Sequence, residues 1–265
     1  MAHRSSSTSV GAIKLNNVTK EFSLADGKRL RVLENICFEA ADRSFTSILG
    51  PSGCGKSTIL NLIAGLDNHS SGEISIDGNR IGFVFQQPRL LNWRTVADNV
   101  ILPLEQQSFD RETMRSLAQK YLTLVGLAGY ENYYPLQLSG GMQQRVSIAR
   151  ALAIDPDFLL MDEPFSGLDE ITARKLRLEL IRIWQETGKT ILFVTHSISE
   201  SVFLSQQILI VSAKPATIFK RLTIDLPYPR EYGDLRLFEI ETALTRDFLG
   251  MGSPLSPEEG GLAAG

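Results

Sequence analysis

A glycine-rich motif at residues 50–57 constrains the fold of this chain more than any other feature. Its sequence is Gly50-Pro51-Ser52-Gly53-Cys54-Gly55-Lys56-Ser57, which matches G-x-x-x-x-G-K-[ST] at every fixed position. The apolar run 44–49 before it predicts a strand, and the run 56–64 after it predicts a helix. A strand that passes through such a loop into a helix predicts an α/β fold, because the motif requires that context.

The residue types in this motif suit the phosphates of a nucleotide. Its glycines let backbone N–H groups curl around phosphate oxygens without a Cβ clash. Lys56 offers a positive charge to the β- and γ-phosphates, and the Ser57 hydroxyl can ligate Mg²⁺. Cys54 lies beside the predicted helix start, a position that favours a reactive thiolate. The alternative is a glycine-rich turn that binds nothing, and the strand and helix on either side argue against it.

A second helix start of similar character lies far along the chain, at Ser139-Gly140-Gly141. A hydroxyl residue and two glycines lead there into a helix-forming run at 142–154. The free N–H groups and the positive dipole end of a helix that begins in this way suit an anionic phosphate. The sequence therefore predicts two phosphate-binding helix starts, and one ATP could need both.

Two carboxylates follow a fully apolar run. Residues 158–161 predict a buried strand, and Asp162 and Glu163 come directly after them. Asp162 can hold the Mg²⁺ shell, and Glu163 can accept a proton from, or polarise, the water that attacks the γ-phosphate. Taken alone, such a pair is more often a solvated loop or a helix cap. The phosphate-binding motif in the same chain favours the catalytic interpretation.

Four single residues gain a candidate role in this context, and each keeps a structural alternative. His196 follows an apolar run, so it could reach the γ-phosphate or could be structural. Gln86 ends another apolar run, and it could reach Mg²⁺ or the attacking water, or be an ordinary loop residue. Asp169 could be only the N-cap of the next helix. Phe22 could stack on adenine or belong to the core.

Composition and charge indicate an ordinary globular protein. The 265 residues are 43% hydrophobic and 22% charged, and a net charge of -3 gives no reason to expect a basic nucleic-acid-binding face. No apolar run approaches the roughly 18 residues of a membrane span. The Ser-rich start lacks the apolar core of a secretory signal, and two cysteines fit a reducing compartment. We therefore expect a cytosolic protein that binds no nucleic acid.

The pattern of apolar residues predicts an α/β core that a helical segment interrupts. Strands are predicted at 12–22, 30–40, 44–49, 73–77, 81–85, 158–161, 190–195, 208–211 and 217–226. Helices are predicted at 56–64, 95–104, 111–125, 141–153, 170–186 and 235–248. A capping box at Ser197-Ile198-Ser199-Glu200 predicts one more helix start. We expect a flexible tail at 1–10, a main domain at 11–230 with a helical insert at about 88–150, and a C-terminal helix and loose tail at 231–265.

These motifs, in this order and spacing, resemble those of the nucleotide-binding subunit of ABC transporters over residues 11–225. The resemblance rests on a Walker A loop (50–58), a Q-loop in Val84-Phe85-Gln86, a signature (138–142), a Walker B segment (158–163), a D-loop (166–169) and the switch residue His196. It implies a P-loop NTPase core of the ABC ATPase type, with an N-terminal antiparallel β subdomain and an inserted helical subdomain. It also implies hydrolysis of ATP with Mg²⁺ as cofactor.

The resemblance assigns a role to each motif. Such subunits pair head to tail, so ATP would lie between the Walker A loop of one copy and residues 139–141 of a second copy. Glu163 would be the catalytic base, His196 the γ-phosphate sensor, and Asp169 the link between the two sites. Gln86 would connect hydrolysis to the membrane partner. The implied nucleotide contacts are Phe22, Gly50, Pro51, Ser52, Gly53, Cys54, Gly55, Lys56, Ser57, Thr58, Asp162, Ser139, Gly140, Gly141 and Asp169, and the implied metal ligands are Ser57, Gln86 and Asp162.

A finer resemblance is to importer subunits for nitrate, sulfonate, taurine and similar small molecules. It rests on residues 87–93, 96–100, 196–205 and 225–230. It implies a transmembrane permease as direct partner, which docks on the helical subdomain, and a substrate-binding protein as indirect partner. The chain would then lie peripherally on the cytoplasmic face of the inner membrane.

Three departures and two alternatives accompany this resemblance. Met142 stands where the signature usually has Gln, Phe22 where Tyr is usual, and Gln206-Gln207 where many relatives have Asp-Arg. None of them removes a catalytic candidate. The alternatives are a cassette of an exporter or lipid-extraction system, and an ABC ATPase without a transporter. The second usually needs a long coiled coil or two cassettes, for which this length leaves no room.

Overall fold

Two β-sheets form the framework of the protein, in a computed structural model that describes residues 12–251. The smaller sheet is antiparallel in the order β2-β1-β4, with β1 (Ile13–Ser23), β2 (Arg29–Ala40) and β4 (Ser71–Ile76). The larger sheet has the order β5-β6-β7-β3-β8-β9, and β9 alone is antiparallel to its neighbour. Its strands are β3 (Phe45–Leu49), β5 (Ile81–Val84), β6 (Phe158–Asp162), β7 (Thr190–Thr195), β8 (Gln207–Val211) and β9 (Ile218–Thr223).

The central strands of the larger sheet are buried on both faces, as parallel strands usually are. Neighbouring side chains point to opposite faces, so Phe193 joins one apolar cluster and Val194 the other. The parallel register pairs Leu49 of β3 with Thr195 of β7, and Asp162 of β6 with Val194. The carboxyl ends of β3, β6 and β7 therefore meet at one edge of the sheet.

Seven α-helices accompany the sheets within the described residues. They are α1 (Lys56–Ile63), α2 (Val96–Ile101), α3 (Arg111–Leu124), α4 (Gly140–Ala153), α5 (Glu170–Thr187), α6 (Ile198–Leu204) and α7 (Leu235–Met251). Five of them begin after a side chain that accepts a hydrogen bond from the N–H three residues further on. These N-caps are Thr95, Asp110, Ser139, Asp169 and Ser197.

The helices α2, α3 and α4 pack against one another in the region predicted to be a helical insert. One apolar cluster, however, continues from these helices into the larger sheet, because Val100 and Leu122 share it with Phe45 and Phe193. The fold class is confirmed as α/β with a separate antiparallel sheet. The domain boundaries at 11, 88, 150 and 230 stay predictions. The predicted tail at 1–10 and most of the tail after 250 lie outside the described residues.

Three predicted elements differ from the structure. The helix expected at 95–104 ends at Ile101 and continues as a 3₁₀ turn over Leu102–Leu104, where Pro103 has no N–H to extend the α-helix. The last strand is shorter than predicted, at Ile218–Thr223. The capping box before α6 is only half present, because the carboxylate of Glu200 is turned toward other partners.

None of the helices in the described part of the chain combines the length and apolar character needed to cross a membrane.

The segment after β9 is fixed to the carboxyl end of α6 by a buried arginine. Arg230 is 4% exposed, and its guanidinium donates to the carbonyls of Val202, Ser205 and Leu226 at 2.7, 2.8 and 3.0 Å. Tyr228 also donates, to the Leu204 carbonyl at 2.6 Å, and burial raises the pKa of its phenol to about 12. This segment therefore provides the hydrogen bonds that the last carbonyls of a helix lack.

We expect Arg230→Met to destabilise the protein by about 2–4 kcal/mol, because buried carbonyls would lose their donors. The free energy of unfolding from a urea titration measures this loss. The control Arg236→Met removes an arginine that is largely exposed and, among the described residues, pairs with Asp234. This control should leave the midpoint nearly unchanged. Equal midpoints for the two variants would contradict the assignment of Arg230.

Candidate active site

The candidate site lies along the edge where the parallel strands end. The glycine-rich loop follows β3, Asp162 and Glu163 lie at the end of β6, and His196 follows β7. Gln86 follows β5, the neighbour of β6. Open α/β sheets bind ligands in the crevice outside the carboxyl ends of their strands. The topology therefore gathers residues that are up to 146 positions apart (Gly50 to His196) along one edge.

Backbone shape allows the loop after β3 to form. Gly53 and Gly55 have φ of 73° and 122°, values that L side chains rarely adopt. A Cβ on Gly55 would also lie 2.9 Å from side-chain atoms of Val32 and Leu33 in β2. The smaller sheet therefore packs directly against the loop, and only glycine fits at this contact.

Lys56, the first residue of α1, is a buried cation at the centre of the site. It is 4% exposed, and its Nζ donates to the carbonyls of Gly50 and Pro51 at 3.0 Å each. The same Nζ lies 3.4 Å from Oε1 of Glu163. These partners balance a charge whose burial would otherwise be costly. They also hold the ammonium group inside the loop, where a bound phosphate would need it.

Glu163 connects Lys56 to His196. Its other oxygen, Oε2, lies 2.9 Å from Nδ1 of His196. A carboxylate only accepts hydrogen bonds, so Nδ1 donates here and the second ring nitrogen is left for another partner. The backbone of Glu163 is left-handed, with φ of 43°, and its N–H donates to the Val194 carbonyl at 2.9 Å. A strained non-glycine residue of this kind is typical of functional sites.

The side-chain oxygens of Ser57 and Asp162 lie next to each other beside Lys56. The Ser57 hydroxyl donates to Oδ1 of Asp162 at 3.0 Å. Burial raises the pKa of Asp162, and the like charge of Glu163 adds to the effect, while the Ser57 hydrogen bond opposes it. A half-buried carboxylate and a hydroxyl suit Mg²⁺, which binds few protein oxygens and takes others from phosphates. No cluster of three or more His, Cys, Asp or Glu within the described residues could hold a metal ion alone.

Gln86 has a partner that the sequence did not reveal. Its amide Nε2 donates to the Ser166 hydroxyl at 3.0 Å, in the loop that follows Glu163. The preceding residue is also fixed, because the Phe85 carbonyl accepts from Gln144 at 3.4 Å. The structure thus connects the Gln86 loop both to the loop that follows Glu163 and to α4. No described contact joins Gln86 to Asp162, and its predicted role as a metal ligand stays a prediction.

The second predicted phosphate site, at the start of α4, lies against α5. Ser139 caps the helix by accepting from the Met142 N–H at 3.3 Å, and it is exposed, as is Gly140. A Cβ on Gly141 would lie 2.6 Å from Thr172 Cγ2, so only glycine allows this contact. Among the described residues, no hydrogen bond or ion pair links residues 139–141 to Lys56. Within one chain the two predicted phosphate sites therefore remain separate.

The positions of Asp169 and Phe22 are each compatible with the predicted functional role. Asp169 caps α5 by accepting from the Thr172 N–H at 3.0 Å, and this hydrogen bond lowers the pKa of its carboxyl. Phe22 lies on β1 opposite Leu30, more than a third exposed, with the Lys20 ammonium 4.6 Å from its ring centroid. The structure excludes the core alternative for Phe22. Adenine stacking and coupling between sites stay predictions for these two residues.

The expectation of a reactive thiolate at Cys54 is wrong. The side chain is 2% exposed, and burial raises the pKa of the thiol despite the nearby Lys56 charge. The apolar surroundings favour the neutral thiol more strongly than the helix start favours the thiolate. Cys54 therefore serves packing through its side chain, and any nucleotide contact would have to use its backbone.

Known proteins resemble this chain in both sequence and fold. Residues 33–166 match the family model described as ABC transporter. The chain is 44% identical to an aliphatic sulfonates import ATP-binding protein, SsuB, of Bacillus cereus, over 89% of this chain and 95% of the relative. It is 42% identical to a taurine import ATP-binding protein, TauB, of Rhizobium johnstonii, over 80% of this chain and 84% of the relative.

A solved structure shows the same architecture. It is a dimeric ATP-binding cassette in a post-hydrolysis state, bound to ADP and Pi, with 35% identity and a TM-score of 0.72. The likeness covers 83% of this chain and 100% of that structure. Sequence relatives and fold therefore agree on one class of ATP-binding protein. This chain belongs to the ABC transporter family, as one of its ATP-binding subunits.

Proposed function

We propose that this protein is the ATP-hydrolysing subunit of an ABC importer that takes up a small sulfonate or a similar anion. The arrangement of Lys56, Glu163 and His196 carries the enzymatic part of the proposal, because it joins a phosphate-binding cation, a base and an imidazole within hydrogen-bonding distance. The import ATP-binding proteins among its relatives carry the transport part.

Hydrolysis follows from what the residues of this site can do. Lys56 binds the β- and γ-phosphates of ATP and neutralises charge on them. Once phosphate attracts Lys56, Glu163 is the carboxylate left to accept a proton from the attacking water. His196 holds Glu163 through Nδ1 and contacts the γ-phosphate through its other ring nitrogen. Both positions fit a reaction that depends on orientation and charge rather than on a covalent intermediate.

A magnesium ion belongs to this proposal. Ser57 and Asp162 would hold the ion, with Gln86 following the neighbouring strand. The ion would supply positive charge against the phosphates of ATP. On the protein side, Asp162 offers a carboxylate whose burial is unfavourable until a cation lies beside it.

A second copy of the chain completes the site. Ser139 and Gly140 present an exposed helix start, and no described hydrogen bond or ion pair joins it to Lys56 of the same chain. In a head-to-tail dimer this helix start binds the γ-phosphate held by the partner's loop, since helix N-termini bind anions. Asp169 caps the helix α5 against which Gly141 packs, so it lies where the two copies meet. The dimeric state of a similar cassette supports this arrangement.

A groove beside the Gln86 loop is the proposed docking surface for the permease. The cavity of about 440 Å³ lies between β5, the 3₁₀ turn after α2, and α4. Arg89 stacks over Phe85 at 4.3 Å within it, and Arg150 holds the Pro88 carbonyl at 2.7 Å. A helix from the permease in this groove would contact the residue next to Gln86 directly. Movement there would reach the catalytic loop through the Gln86–Ser166 hydrogen bond.

In this proposal, the partner proteins determine both the transported molecule and the location of this chain. The permease and a substrate-binding protein select the cargo, and the two import relatives are named for the import of aliphatic sulfonates and of taurine. The chain lies peripherally at the membrane, on the cytoplasmic face where ATP is available.

We expect Glu163→Gln to keep ATP binding and to reduce turnover by about a hundredfold or more, because the amide cannot accept the proton. With hydrolysis blocked, a dimer with bound ATP should accumulate, visible by size-exclusion chromatography with ATP present. Glu179→Gln, a matched change on α5 away from this site, should hydrolyse ATP normally. Turnover of Glu163→Gln equal to that of the parent protein would remove Glu163 from its role.

We expect Asp162→Asn to raise the stability of the nucleotide-free protein at neutral pH and to abolish hydrolysis. Folding raises the pKa of Asp162, so its ionisation costs stability as pH rises above the unfolded value. The amide removes this cost together with a metal ligand. Thermal unfolding at pH 7 without nucleotide, followed by a titration with Mg²⁺ and ATP, measures both effects. A less stable variant that still gains stability from Mg²⁺-ATP would contradict the metal assignment.

We expect the chain to restore uptake of labelled taurine or an alkanesulfonate in cells that carry its permease but lack this subunit. Leu102→Arg, which places a long cation in the groove, should abolish uptake and co-purification with the permease while ATP still binds. Leu249→Arg, at an exposed leucine of α7, is the matched control and should support uptake. Uptake of nitrate without sulfonates would replace the proposed cargo. Normal uptake with Leu102→Arg would exclude the groove as the docking surface.

A further inference from the structure

We propose that a polar network of four residues, here called the switch network, positions His196 for hydrolysis. Thr195, Glu200 and Arg177 form its buried part, and Tyr232 forms its exposed end. The network links the γ-phosphate sensor to the segment after β9, so this C-terminal segment contributes to turnover. The proposal rests on the proposed function, because it assigns positioning residues to that same reaction. None of the four is a candidate for contact with ATP.

The Thr195 hydroxyl fixes the backbone on both sides of His196. It donates to Oε2 of Glu200 at 2.6 Å and accepts from the Ser197 N–H at 3.0 Å. These two bonds close the turn between β7 and α6, in which His196 is the middle residue. The His196 side chain is about half exposed and forms a hydrogen bond with Glu163. The direction of the imidazole therefore depends on this turn.

Glu200 is a carboxylate kept in the interior of the protein. Its side chain is 11% exposed, and burial raises the pKa of its carboxyl while Thr195 and Arg177 oppose that rise. A helix-capping glutamate would normally turn back to the N–H of Ser197, at the surface. Here it turns inward, and the Thr195 hydroxyl takes the Ser197 N–H instead. A buried carboxylate in place of a simple helix cap indicates that the network holds the turn at His196 in a specific geometry.

Arg177 joins Glu200 to the start of α5. Its Nη2 lies 3.4 Å from Glu200, and Nη1 and Nη2 each donate to an oxygen of Glu170 at 3.2 Å. Glu170 is the first residue of α5, directly after the proposed dimer residue Asp169. The guanidinium is 5% exposed and connects the turn at His196 to the helix start that faces a second copy.

Tyr232 brings the C-terminal segment into the network. Its hydroxyl accepts from Arg177 Nη1 at 3.3 Å, and its ring stacks on Phe203 of α6 with centroids 4.1 Å apart. Arg174 covers the ring at 4.6 Å. The segment thus contacts α6 both through this stack and through Arg230 at the end of the helix. Displacing it would disturb the helix that follows His196.

The sharpest test exchanges hydroxyl and methyl groups at position 195. Thr195→Val keeps the buried volume but loses the hydroxyl, whereas Thr195→Ser keeps the hydroxyl and loses a methyl group. We expect kcat for ATP to fall on the order of tenfold in Thr195→Val, because small misplacements of a catalytic group are costly. KM should stay within about twofold, since Lys56 and the loop are untouched. Thr195→Ser should keep kcat near the parent value.

A purely structural role predicts a different result. It ties activity to stability, so the two variants would rank alike in melting temperature and in kcat. The switch network instead predicts that Thr195→Ser retains kcat even where its melting temperature is the lower of the two. Equal kcat in both variants would overturn the proposal.

A second test keeps the proposal falsifiable if both Thr195 variants fold poorly. Tyr232→Phe removes one hydroxyl at a partly exposed site and keeps the ring stack on Phe203. We expect a fall of about threefold in kcat with unchanged KM and melting temperature, since one bond of the network is lost. The control Arg182→Met removes an α5 arginine that pairs with Glu179 and Glu186, outside the network, and should leave kcat unchanged. A Tyr232→Phe protein with the parent kcat would exclude the C-terminal segment from turnover.

The parent protein separates this proposal from the proposed function. If the parent does not hydrolyse ATP, or if its turnover survives Glu163→Gln, the proposed function fails and the network has no reaction to position. If the parent hydrolyses ATP through Glu163 but Thr195→Val and Thr195→Ser are equal, only the network proposal fails.

Discussion

The buried ammonium group of Lys56 is the interaction on which the site depends. A lysine that is 4% exposed needs partners from several elements, and here they come from the loop after β3 and from the end of β6. Glu163 in turn holds His196 after β7. The Lys56 charge thereby connects the ends of three strands. A parallel sheet places these ends at a common edge. The same arrangement is ready for phosphate, because any phosphate that enters competes for a cation already directed at it.

In the proposed head-to-tail dimer, the position of the second helix start would make one copy of the chain an incomplete enzyme. Ser139 caps α4 and Gly141 lies against α5, and no hydrogen bond or ion pair within the described residues joins them to Lys56. In the proposed dimer, head-to-tail pairing would bring each helix start to the other copy's loop. Hydrolysis would then be a property of the dimer, and a permease would control it through the approach of the two copies. The Gln86–Ser166 hydrogen bond and the switch network are two routes by which such movement would reach Glu163 and His196.

Local sequence patterns predicted the fold class and several residues of the candidate site. They did not predict the contacts between residues that are far apart in the sequence. The motif around Lys56 and the apolar run before Asp162 are read from adjacent residues, and both were predicted with their strands. Gln86 and Ser166 are 80 positions apart, and Arg177 and Tyr232 are 55 positions apart. No local sequence pattern can therefore predict either contact. The capping box failed for the same reason, because a distant arginine and the Thr195 hydroxyl compete for the Glu200 carboxylate. At Cys54, burial that only the fold reveals outweighed the effect of the helix start.

The most direct test of the shared site is to mix two inactive variants. Ser139→Arg blocks the helix start of one copy, and Lys56→Ala disables the loop of the other, so each variant alone has no complete site. In a mixed dimer one site combines the intact Lys56 of one chain with the intact Ser139 of the other. An equal mixture should therefore recover on the order of a quarter of the parent turnover, since half of the dimers are mixed and each holds one complete site. Turnover that stays at the level of the separate variants at every mixing ratio, although mixed dimers form, would contradict the account.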